Sequence, residues 1–348
     1  MSEITLGRST GKPGGKIISL RIRRRTAVVV GSVSLFTLLL GALALTLGEF
    51  PLSVSQVVGA LLGRESDGIQ RIIVDGRLPR VILAILAGAA LGLSGAIFQS
   101  LTRNPLGSPD IIGFTSGAYT GALFVIIVAG GNYVMVSFGA LAGGLLTALL
   151  VYALAFRRGV QGFRLIVVGI AVSAILHAVN NWLLITARLE TAVAASAWGA
   201  GSFNNLSWRE LVPVLITLVL LAPVLVIIAR PLRVLEMGDD SAQALGVNPE
   251  RLRIVLVVVG VGLTAIVTAF TGPIAFVALA APQLAHRMTR SAGVALLPAA
   301  VVGAALMLAS DVISQRLIAP TLLPVGVVTA CIGGVYLISL LIAQSRKR

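Results

Sequence analysis

Cysteine, histidine and acid are all scarce in this chain of 348 residues: one Cys, two His and 13 Asp and Glu. A lone thiol, Cys331, excludes a disulfide within the chain, and its place in an apolar run leaves thiol chemistry unsupported. With no cluster of carboxylates, no cysteine pair and only His177 and His286, no metal site of ordinary spacing and no hydrolytic triad can be assembled. The phosphate-cradling pattern G-x-x-x-x-G-K-[ST] is absent, so the chain is expected to hold no nucleotide or other cofactor and to take its energy from elsewhere. Charge is scarce as well. Only 11% of residues are charged while 57% are hydrophobic, and the mean hydropathy of +1.00 excludes a soluble globular domain.

What is present is a series of apolar runs, each close to bilayer-spanning length. They fall near 27–47, 80–102, 110–130, 133–156, 164–186, 211–230, 254–271, 273–290, 294–313 and 325–344. The expected fold class is therefore all-α, a polytopic membrane protein of about ten transmembrane helices. The run from 254 to 290 is divided at Thr271-Gly272-Pro273, where glycine and proline favour a turn. Residues 1–26 read as a basic tail, 27–348 as a single transmembrane domain. The net charge of +14 reflects topology rather than nucleic-acid binding. With the N-terminus inside, 20 of the 27 basic residues fall on cytoplasmic segments and 7 outside, which places both termini in the cytoplasm.

A polar island at 231–253 separates two of the apolar runs. Asp239, Asp240 and Ser241 can cap a short helix, Gly246 can end it in a left-handed turn, and Asn248-Pro249 can open a second. A channel or carrier has no need of such an insert, whereas a motor protein outside the membrane could grip it. The first helix, ending at Gly246, has Ala242, Ala244 and Leu245 to bury by inserting into a groove of such a motor.

Small residues recur at helical spacing: Gly88 and Gly92, then Gly113, Gly117 and Gly121, then Gly139 and Gly143. Such stripes allow close helix packing, the favoured reading, with Gly113 and Gly117 as alternative candidates for lining a pathway. His177, Asn180 and Asn181 concentrate polarity on one run, as pathway lining or as interhelical hydrogen bonds. Asp311, an acid well inside a run, is expected to pair with Arg316 nearby. On the outside, Val54, Val57, Val58, Leu61 and Leu62 mark a surface helix, and Trp198 and Trp208 suit interfacial depth.

Several motifs together carry a family resemblance: Arg77-Leu78-Pro79-Arg80, Gly88-Ala89-Ala90-Leu91, Ser94-Gly95, Gln99, Asn104-Pro105-Leu106, Gly272-Pro273-Ile274-Ala275-Phe276-Val277-Ala278-Leu279, Pro282, Asp311, and Leu323-Pro324-Val325-Gly326-Val327-Val328-Thr329. Over nearly all of its length the chain resembles the iron-siderophore and cobalamin permeases of bacterial ABC importers. The resemblance implies a type II importer permease fold of ten helices in the bacterial inner membrane, carrying a ferric siderophore of catecholate type. It implies as partners two ATP-binding subunits holding ATP-Mg, a second permease subunit, related or identical, and a periplasmic or lipid-anchored binding protein. By position, Glu236, Asp239, Asp240, Ala242, Leu245, Gly246, Asn248 and Pro249 match the family's coupling helices. Arg77, Arg80 and Arg316 match its outer arginines toward the binding protein, and Gln161 and Gly162 its inner gate. One departure is visible: Pro282-Gln283 stands where relatives read Pro-His. A proton-coupled carrier working through Asp311 and His177 is the alternative function.

Overall fold

The computed structural model describes residues 3–6, 20–48, 50–110, 112–155, 162–204, 206–291, 293–319 and 321–345. Ahead of the membrane helices a short antiparallel pair joins β1 (Glu3–Leu6) to β2 (Leu20–Arg23). Everything that follows among the described residues is helix and connection. The helices are α1 (Arg24–Thr46), α2 (Val54–Leu61), α3 (Asp67–Gln70), α4 (Leu78–Thr102), α5 (Phe114–Leu123), α6 (Tyr133–Ala155), α7 (Gly162–Thr186), α8 (Leu189–Gly199), α9 (Trp208–Glu236), α10 (Asp239–Ala244), α11 (Pro249–Thr271), α12 (Val277–Thr289), α13 (Leu296–Arg316) and α14 (Val325–Ser345). A π-helical stretch, Arg71–Arg77, joins α3 to α4 without a break, and another, Phe124–Ala129, extends α5.

Each expected apolar run corresponds to one helix, yet they are not equal. Seven helices among the described residues are long and apolar enough to cross a membrane, while Phe114–Ala129 and Val325–Ser339 are shorter apolar helices. The run expected at 273–290 becomes only the 13-residue α12. The break at Gly272-Pro273 occurs as expected, but the chain stays non-helical to Phe276. Gly272 and Phe276 both have left-handed φ, 72° and 69°, so helix cannot resume sooner. In the other direction α9 outruns expectation, passing through Pro213, Pro223 and Pro231 to Glu236; prolines are tolerated in membrane helices because neighbouring groups satisfy the freed carbonyls. The polar island is correspondingly shorter. What was expected to be its second helix is the first turn of α11, continuous with a membrane helix.

The centre of the bundle is α4. Of the apolar window in the Asp67–Thr102 rod 72% is buried within the chain, against 17% for α7. Its partners are α13 above all, then α11, α12 and α9. Hydrophobic burial drives little association inside a membrane, so close backbone approach must do so. The glycines supply it. A Cβ added at Gly88 would run into the Gly303 carbonyl oxygen, at Gly92 into that of Ala299, and at Gly95 into that of Ala278. The same holds for α5 and α6, where Gly121 meets Gly139 and Gly117 meets Thr147 and Gly143. Polar side chains complete the contact: the Ser94 hydroxyl donates to the Gly260 carbonyl at 2.7 Å and lies 2.8 Å from the Thr264 hydroxyl, joining α4 to α11 deep in the bundle.

Gly95→Leu is expected to push α12 off α4 and destabilise the fold by about 4 kcal/mol or more, the range of severe core overpacking. Gly31→Leu, where an added Cβ meets nothing within 4 Å, is the control. Thermal unfolding of the detergent-solubilised protein distinguishes them.

Candidate functional site

At the end of the bundle where α4 finishes, the chain turns sharply between α9 and α11. Gly238, with φ 119°, starts α10 and Gly246, with φ 77°, follows it, conformations that favour glycine. Asn248 then caps α11, its Oδ1 accepting from the amides of Glu250 and Arg251 at 3.1 Å each, with Pro249 at the first helical position. The two sides of this island differ. Ala242 and Pro249 are buried, whereas Asp240, Ala244, Leu245 and Gly246 are exposed. Of the three apolar residues expected to enter a partner's groove, Ala244 and Leu245 are exposed, whereas the expectation for Ala242 is corrected: it is buried within this chain. Leu245 is 63% exposed and Met237 69%, an apolar presentation at the tip of a polar loop.

Charges hold the island in place. The Asp239 carboxylate accepts from Arg253 Nη2 at 2.7 and 2.9 Å and from Arg103 Nη2 at 2.6 Å. The same Arg103 nitrogen also donates to the Leu235 carbonyl at 2.9 Å. Three residues before Asp239, at the end of α9, Glu236 takes a hydrogen bond from the Ser100 hydroxyl and one from the Val294 amide at 3.3 Å. Partial burial works to raise the Asp239 pKa, but the hydrogen bonds and charges of Arg253 and Arg103 outweigh it and hold the carboxyl below its usual range. Arg103 and Arg253 were not among the residues expected to serve this site. Their partners lie 136 and 14 positions away, and no local pattern announces either pairing.

At the opposite end the three candidate arginines have separate tasks. Arg80 is committed inward: Nη2 lies 2.8 Å from Asp311 Oδ1 and Nε donates to both oxygens at 3.1 and 3.2 Å. Gln315 Nε2 adds a bond to Asp311 Oδ2 at 2.9 Å. Asp311, fully buried, therefore pairs with Arg80 and not, as expected, with Arg316. Residues five apart on one helix point about 140° away from each other, whereas Arg80 faces Asp311 across the α4–α13 contact. Arg77 donates to the carbonyls of Leu45 and Phe50 at 2.8 and 2.6 Å, and the exposed Arg316 to that of Gly48 at 3.3 Å. Both fasten the connection after α1. Trp208 Nε1 donates to the Val74 carbonyl at 2.8 Å, and Trp198 stacks on Tyr119 with ring centroids 6.2 Å apart.

The remaining candidates lie along α5 and α7. Gly113 packs on Ser173 and Gly169 of α7, and Gly117 on α6, so both serve helix contact. His177 is exposed, with Nε2 at 3.3 Å from the Ser116 hydroxyl. Asn180 is 2% exposed, and neither polar atom of its side chain has a hydrogen-bond partner among the described residues. Gly162 lies against the Thr102 backbone at the end of α4; Gln161 is outside the described residues. Gln283, where an imidazole was expected from relatives, donates to Gln99 Oε1 at 2.7 Å, and Gln99 Nε2 donates to the Leu279 carbonyl at 3.0 Å. This amide chain ties α12 to α4.

Comparison with known proteins places the architecture. The model of the FecCD transport family matches residues 36–343. The chain is 48% identical to the ferric enterobactin transport system permease protein FepG of Escherichia coli (strain K12), over 88% of this chain and 93% of that one. It is 38% identical to the achromobactin transport system permease protein CbrC of Dickeya dadantii (strain 3937), over 92% and 94%. Among solved structures, an inward-facing conformation of a putative metal-chelate type ABC transporter superposes with a TM-score of 0.82 at 28% identity, covering 91% of this chain and 99% of that one.

Two measurements test the electrostatics. Asp311→Leu leaves Arg80 without its counter-charge and is expected to cost about 3–5 kcal/mol, with the Arg80→Leu/Asp311→Leu pair distinctly milder, by thermal unfolding in detergent. For Asp239 the folded pKa is depressed, so its contribution is fully present above the unfolded value of about 3.9 and is lost as pH falls through the lower folded value. Limited proteolysis of the 237–248 loop is expected to be flat from neutral pH down to about 4 and to accelerate only below it.

Proposed function

This chain belongs to the FecCD transport family, and from that premise we propose that it passes a ferric siderophore of catecholate type across the bacterial inner membrane. It is a multi-pass permease subunit of an ABC siderophore importer, a transport component rather than an enzyme. The similarity to a ferric enterobactin permease at 48% identity supports the catecholate class.

The observation that carries the mechanism is the island between α9 and α11: a short helix held rigidly by Asp239 and presenting Leu245, Gly246 and Met237 outward. We infer that this surface docks in a groove of a separate ATP-binding subunit, two of which supply hydrolysis of ATP-Mg. Glu236, Asp239, Ala242, Asn248 and Pro249 shape the element from within, and Asp240 stands at its exposed start. On this reading the island end is cytoplasmic, as the distribution of basic residues implies, and both termini share that side. A second permease subunit completes the pathway, and a binding protein docks at the end bearing Arg316, with Arg77 and Arg80 setting the shape of that surface. Gly162, packed against the end of α4, together with Gln161, belongs to the inner gate in this scheme, and His177 and Asn180 to the pathway wall. A proton-coupled carrier is the weaker reading, because Asp311 is already engaged by Arg80 and Gln315.

Leu245→Asp is expected to abolish ATPase capture and siderophore uptake while leaving membrane insertion intact. Co-purification of the ATP-binding subunit and uptake of ferric enterobactin into proteoliposomes measure the two. Normal uptake by this variant would remove the docking role, and preference for a hydroxamate siderophore over ferric enterobactin would remove the substrate class.

A further inference from the structure

We propose that Arg103 is a positioning residue that transmits displacement of α10 to the central helix α4 through one shared carboxylate, Asp239. This deepens the docking role assigned to the island above and rests on it. α10 itself packs on α9 and α11, so its observed polar tie to the bundle's hub runs through side chains. Arg103 sits immediately after α4 and reaches two groups with one nitrogen: Asp239 Oδ1 at 2.6 Å, at the start of α10, and the Leu235 carbonyl at 2.9 Å, at the end of α9. Arg253, in the opening turns of α11, grips both oxygens of the same carboxylate at 2.7 and 2.9 Å. A single anion thus links α4, α10 and α11, and Arg103 extends the link to the end of α9.

The backbone at Arg103 sharpens the argument. Its φ of 49° is left-handed, one of three such values at non-glycine residues among those described. A helix end in that conformation favours glycine or asparagine. What arginine adds at this position is the guanidinium, a planar fork that keeps its direction while bonding two acceptors. Stability is a poor account of it. The Arg103 and Asp239 side chains are 42% and 39% exposed, and ion pairs so open to water contribute little to folding. They do resist relative movement, because stretching or shearing the contact breaks charge-assisted bonds. A shift of α10 is therefore carried to the end of α4, whose glycine-packed length bears on α11, α12 and α13.

The test uses the complete importer in proteoliposomes, with its ATP-binding subunits, its permease partner and its binding protein. Arg103→Asn suits the left-handed backbone as well as or better than arginine, so a folding defect is not built into the variant. The expected result is unchanged co-purification of the ATP-binding subunits, retained ATP hydrolysis, and a fall of about tenfold in siderophore taken up per ATP hydrolysed, an ordinary size for coupling between sites. Combined with Asp239→Asn, the double variant is expected to be no worse than the poorer single one, because both substitutions break the same link. Uptake per ATP within about twofold of the unsubstituted importer would overturn the proposal, and so would effects that simply add in the double variant. Loss of the ATP-binding subunits from the Arg103→Asn complex would also overturn it, assigning the residue to assembly. Failure of the docking reading is separable: there, Leu245→Asp leaves both subunit capture and uptake intact.

Discussion

Contact between the backbone of α4 and the backbones of α12 and α13 is the constraint on which the rest of the molecule depends. Lipid tails are as apolar as leucine, so the helices gain little by hiding apolar side chains from one another. They gain by coming close enough for dispersion to act along their length, and at Gly88, Gly92 and Gly95 nothing larger than hydrogen fits. Once α4 is held this way, Arg80 can face Asp311, Ser94 can reach the Gly260 carbonyl, and Gln99 can bridge to α12. Each of these polar bonds is directional and strong in a medium without competing water.

The two ends of α4 are finished differently. At one, Arg80 turns inward to a buried carboxylate, while Arg77 and Arg316 tie down the connection after α1. At the other, Ser100 and Arg103 reach out to the loop that carries α10. The rod is thus locked into the bundle through its middle and connected to an exposed element at its tip. That arrangement suits a permease subunit whose energy comes from outside: a surface element can be moved, and side-chain bonds fasten it to the most deeply buried of the spanning helices.

Much of this was legible in the residues. The helices stand where the apolar runs placed them, the break at Gly272-Pro273 is real, and the island has its left-handed glycine at 246 and its Asn248 cap. The misreadings share a cause. Asp311 was matched to Arg316 because the two are near in sequence, whereas its partner lies 231 positions away. Ala242 was assigned with Ala244 and Leu245 to a partner's groove because all three are apolar, yet it packs back into this chain. The run at 273–290 was counted as a full span because hydropathy cannot tell a long helix from a short one entered by an extended segment.

Composition and periodicity alone determined that the chain lies in a membrane, that it folds as helices, and that a polar element interrupts them, because hydropathy, helix caps and turn residues act over a few neighbouring positions. Which charge meets which, how far α9 and α12 extend, and which face of the island stays free were decided by the tertiary structure. Those outcomes depend on distances between segments far apart in the chain, set by how closely the glycine-bearing helices approach, and no short window of sequence contains them.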